Sequence, residues 1–87
     1  MNRTEFTIAS AGNTLASALA ILRTKGYVVA PEQPNLLRAA KGSITLVGED
    51  PLILLGLSSI AETRGVNWHP TEGEVAALLA LEGGNNA

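Results

Sequence analysis

His69 is the single histidine of this chain, and a nucleophilic mechanism would have to recruit it as the general base. Ser58, Ser59 and Asp50 are the groups that could complete such a set. Each has a simpler role. Both serines fall within a helically spaced run, and Asp50 precedes Pro51, where a carboxylate caps a helix start. His69 lies between Trp68 and Pro70 in a linker, with no spacing that marks it as a base. The residues therefore predict a protein that is not an enzyme, with no catalytic residues and no cofactor.

Metal chemistry fares no better. Zinc sites draw on histidine and cysteine, and the chain has one histidine and no cysteine. Glu49-Asp50 and Glu72-Glu74 are carboxylate pairs, yet both sit at helix starts, where negative charge complements the dipole. Gly42, Gly48 and Gly56 do not compose a phosphate-binding loop, which needs closely spaced glycines between a strand and a helix. Nucleic acid is not an expected partner. Six basic residues are scattered, the net charge is −2, and Phe6, Tyr27 and Trp68 do not make a stacking platform for bases.

What remains is binding to another protein. Hydrophobic residues make up 46% of the chain and charged residues 16%, against a usual charged share of about a quarter. A surface so short of charge leaves apolar patches that mark contact sites. Trp68 either closes one end of the core or anchors an interface, and His69 beside it keeps the second option open. Leu78 and Leu81 on the last helix, with Glu72 and Glu74 at its start, complete the expected partner-binding set.

The elements that must position these residues follow from periodicity and punctuation. Leu15, Leu19 and Leu22 recur at helical spacing behind Asn13, and Gly26 supplies the stop, predicting a helix over 13–25. Tyr27 to Ala30 reads as a strand, with Pro31 to Asn35 as a connection. Leu36 to Ala40 and Ser43 to Val47 flank a tight turn at Lys41-Gly42. Asp50-Pro51 opens a helix, apolar on every side in its first turns, that Gly65 closes. It is expected to enter the core at its start and emerge at its end. Gly56 within it predicts a close crossing against Ala76 to Ala80. Thr71 and Glu74 match the capping box and open a last helix over 72–82.

The expected fold is α+β: a helix, a three-stranded antiparallel β-meander, then two helices packed on one face of the sheet, with Arg38 and Lys41 near the open side. Residues 1–82 would form one compact domain, with 1–12 an arm or edge strand and 83–87 a disordered tail. No apolar run reaches the ~18 residues of a membrane span. The run Leu15 to Leu22 leads into a helix end rather than a cleavage site, so a soluble, cytoplasmic, uncleaved chain is expected. The expected function is a small non-enzymatic protein-interaction module of bacterial or phage type, an inhibitor, immunity or adaptor protein. It would be a homodimer through helix 51–64 or 72–82. The alternative is a small-ligand module with a pocket between sheet and helices near Tyr27, Trp68 and His69.

Overall fold

A computed structural model describes residues 5–10 and 13–83. The first helix, α1, spans Thr14–Thr24 and buries Ala18 and Leu22, four residues apart on one line. Asn13 occupies the cap position but makes no side-chain capping bond. The other end is closed more firmly. Tyr27 N–H donates to Leu22 O and Gly26 N–H to Arg23 O, both at 3.0 Å, with Gly26 at φ +102°. That pair of bonds is the Schellman stop, and its usual apolar contact is here between Leu22 and Tyr27, both in the core.

Three antiparallel strands follow in the order β1-β2-β3: β1 Val28–Gln33, β2 Leu36–Lys41 and β3 Ile44–Gly48. β1 runs further than its prolines suggest. Pro31 pairs with Leu37 inside the strand, and the register shifts between Pro31 and Gln33. β1 is an edge strand, the place in a sheet that tolerates proline. The β2–β3 turn is Gly42-Ser43, one residue later than expected, with Gly42 at φ +57° in the position that a type II′ turn reserves for glycine.

Alternation sorts the sheet into two faces. Ala39 and Leu46 are paired and buried, and they meet Leu22, Tyr27 and Leu54 in the core. Val29, Leu37 and Ile44 pack around them. On the opposite face Val28, Ala30, Arg38, Thr45 and Val47 are exposed, with Arg38 paired to Glu32 at 2.8 Å. Lys41 falls on the helix-covered side instead, its ammonium 5.5 Å from the Tyr27 ring centre.

The second helix, α2, spans Pro51–Arg64 and starts on the cap the sequence offers, with Ile53 N–H donating to Asp50 Oδ1 at 2.9 Å. It enters the core within its first turn, on Leu54, and emerges at its end, where residues 62–64 are exposed. Leu52 and Ile53 are exposed, and the fully buried residues are Leu54 and Ser58, one turn apart. Gly65, at φ +66°, ends the helix, and a 3₁₀ turn, Gly65–Asn67, leads toward the last helix, α3, Glu72–Gly83. The capping box is present: Glu74 N–H donates to Thr71 Oγ1 at 3.1 Å, and Thr71 N–H donates to Glu74 Oε1 at 3.0 Å.

The architecture is α+β, with a helix, a three-stranded antiparallel sheet and two further helices. The helices that contact the sheet are α1, through β1, and α2, through β3 and β2. No residue of α3 is buried. From Val75 to Leu81 every residue of α3 is apolar, so no polar position within that segment marks which side should face the sheet. Residues 5–10 form no strand, and residues 1–4, 11, 12 and 84–87 lie outside the described ones. Among the described residues no helix is long and apolar enough to cross a membrane.

Candidate functional site

One polar cluster has the parts of a catalytic pair. Lys25 Nζ lies 3.0 Å from Ser58 Oγ, the spacing a lysine base needs to activate a serine. The rest of the geometry works against it. Ser58 has no exposed surface, and its hydroxyl donates to Leu55 O at 2.6 Å. Lys25 is also paired with Glu62 at 3.0 Å, so its ammonium is engaged as an ion-pair partner. Tyr27 OH donates to Glu62 Oε2 at 2.9 Å. Burial, then the bond to Glu62, raise the Tyr27 pKa, while the bonds from Lys25 and then Tyr27 lower that of Glu62. These groups clamp the end of α1 and the start of the sheet to α2. His69 is far from this arrangement in role: its ring stacks on Trp68 at 3.9 Å and 19°. Among the described residues no three histidine or acidic groups gather where they could hold a metal ion.

The more open feature is an apolar groove of about 540 Å³ along β3. One wall is the strand itself, with Ser43 and the four residues Ile44 to Val47 in succession. The other is Leu57, Ile60 and Ala61 of α2, then Gly65, Val66 and Trp68 beyond its end. Not one lining residue carries a charge. Ile60 and Trp68 are half-exposed and Val66 is 90% exposed, so the groove opens to solvent.

β3 is the second edge of the sheet, and it differs from the first in kind. β1 carries Pro31, a register shift and the Glu32 carboxylate, all devices that discourage another strand from pairing. β3 reads Ile-Thr-Leu-Val-Gly, with no proline, no charge and no shift. A two-residue turn closes on a hydrogen-bonded pair, here Lys41 and Ile44, and the ladder then alternates. Thr45 and Val47 therefore direct their N–H and C=O groups away from β2, toward the free edge.

Of the residues the sequence singled out, Trp68 alone lines the groove, and it is 47% exposed rather than a core plug. His69 stacks behind it. Leu78 and Leu81 lie on α3, exposed by 51% and 79%. Glu72 stands in the first turn of α3. Glu74 is already engaged: Arg64 forms a two-pronged pair with it, with Nη1 to Oε1 at 2.9 Å. That pair, then the Thr71 backbone, hold the Glu74 carboxyl down to about 2, and Glu74 in turn raises the Arg64 pKa. The groove does not include Tyr27, which is buried in the core on the Glu62 side. Sequence reasoning missed Leu57, Ile60 and Val66 as surface-forming residues. The uncharged, proline-free run Ile44 to Val47 is the one signal in the sequence that could have marked an unprotected edge, and it tells only once β3 is known to be outermost.

No family model, curated protein or solved structure matches this chain. The groove must be read from its own chemistry.

Proposed function

We propose that the chain is a non-enzymatic protein-interaction module, of the inhibitor, immunity or adaptor kind, that takes an extended segment of a partner protein along β3. The carrying observation is the unprotected edge of β3 lying inside an uncharged, Trp68-flanked groove. An added strand would satisfy the outward groups of Thr45 and Val47, and alternate side chains would enter the apolar wall formed by Leu57, Ile60 and Trp68. Trp68 is the anchor in this reading, with His69 stacked behind it. The chain acts as a homodimer, with Leu78 and Leu81 of α3 in the contact rather than in the groove.

The same groove suits a second occupant, a small apolar ligand, because its lining is apolar and its volume falls within the usual range for such sites. The two occupants make different demands on the backbone. Val47→Pro removes an outward N–H without touching the β2–β3 ladder. It should abolish strand addition and leave a purely apolar ligand bound. Partner protein that co-purifies with the wild type and is lost from both Val47→Pro and Ile60→Asp, but kept by Ala30→Asp on the opposite face, supports the module. Equal recovery with all four chains overturns it.

A further inference from the structure

We infer that residues 5–10 form a strap that closes over the groove between α1 and α2, seating Phe6 and Ile8 against the two helices. This second groove, of about 640 Å³, shares no residue with the one along β3. Asn13, Ser17 and Ile21 form one wall, Leu52 and Leu55 form the other, and Ile8 itself lines it. No lining residue carries a charge. The two helices run in the same direction, since the start of α1 shares this groove with Leu52 while Lys25, past its end, meets Ser58. The groove therefore follows the seam where both helices begin.

The occupant is the segment that leads into α1. Ile8 lines the groove while still 73% exposed, and Phe6 near it is 76% exposed. Side chains alternate along an extended chain, so Phe6 and Ile8 share one side and Glu5 and Thr7 the other. Such a ribbon lays its apolar side on an uncharged groove and keeps its carboxylate in water. The reach fits as well. Two residues of extended chain span about 7 Å, and the four-residue step from Ser17 to Ile21 rises about 6 Å along a helix. With Ile8 beside Ser17, Phe6 meets Ile21, itself 47% exposed. Ile8 stands only a few residues ahead of Asn13, and this tether gives the chain's own segment a far higher local concentration than a separate partner.

The strap also supplies what the start of α1 lacks. Asn13 makes no side-chain capping bond, and the first turn holds no acidic residue. The first backbone bond, from Ser17 N–H to Asn13 O, is 3.3 Å long. A strap across Asn13 and Ser17 holds that loose end of α1 to α2.

Phe6 is the sole phenylalanine, so a chain isotopically labelled at phenylalanine reports on one ring. The expected result is nuclear Overhauser contact between that ring and the methyl groups of Ile21 and Leu55. Phe6→Ser/Ile8→Ser should speed hydrogen exchange of the Ser17 amide severalfold and leave the amides of Leu22 and Leu54, in the core, protected. The chain has no cysteine of its own, so Phe6→Cys/Ile21→Cys should close a disulfide within one chain on oxidation. Phe6→Cys/Ala30→Cys should not, because Ala30 lies on the uncovered face of the sheet. A Phe6 ring with no contact to either helix overturns the inference, as does a Ser17 amide that the double substitution leaves unchanged. A Phe6→Cys/Ile21→Cys chain that links only between copies also overturns it, by assigning the groove to a neighbour's segment. Each of these failures leaves the β3 reading standing, because neither Phe6 nor Ile8 lines that groove.

Discussion

Arg64 and Glu74 tie the end of α2 to the start of α3: Arg64 Nη1 donates to Glu74 Oε1 at 2.9 Å, and the same carboxyl oxygen accepts the Thr71 N–H. Glu74 therefore caps its own helix and docks that helix on its neighbour. With α3 otherwise exposed, this carboxylate sets the direction in which the apolar face points.

The pH dependence of that tie follows from its sign. The folded Glu74 pKa lies near 2, below the ordinary 4.5, so its contribution is fully present above pH 4.5 and fades as pH falls toward 2. A carboxyl-carbon NMR titration should find Glu74 still charged at pH 3. A midpoint near the ordinary glutamate value would contradict the pairing.

Two glycines should respond in opposite directions to alanine. A Cβ at Gly48 would meet Ile53 Cγ2 at 2.8 Å, closer than side chains sit, so Gly48→Ala should destabilise by about 1–3 kcal/mol. A Cβ at Gly56 would meet nothing within 4 Å. The close crossing expected there is absent, and Gly56→Ala should stabilise α2 by about 1 kcal/mol. Urea unfolding of the two variants gives both signs in one experiment.

The core is small, so single truncations in it should be severe. Leu22 and Leu54 have no exposed surface, and each touches the cluster formed with Tyr27, Ala39 and Leu46. Leu54→Ala should cost about 2–5 kcal/mol, a large share of the ~5–15 kcal/mol that holds a typical domain. A urea midpoint unchanged from the wild type would mean that α2 is not the lid of this core.

Local signals were legible wherever a short-range bond fixes the chain. Thr71 and Glu74, Asp50 and Pro51, Gly26 and Gly65 all do what their types and spacing foretell. Long-range choices were not. Pro31 reads as a strand end until β1 is known to be an edge. Ser58 reads as a solvent-facing hydroxyl until Lys25, just past the end of α1, reaches it in the interior. The apolar α3 reads as a core helix because hydrophobicity alone does not say whether the cover lies in the same chain. The groove was invisible for a related reason: it exists only because the sheet order leaves β3 outermost, beside the exposed end of α2.

The central claim is that the free edge of β3 receives an extended segment of another protein. It is tested most directly by placing a photo-reactive residue at position 45 and, separately, at position 30, then irradiating the chain with its cellular partners. A covalent adduct from position 45 that disappears with Val47→Pro, with little or none from position 30, is the predicted result. Equal adducts from both edges of the sheet, or an adduct from position 45 that survives Val47→Pro, would contradict strand addition at this edge.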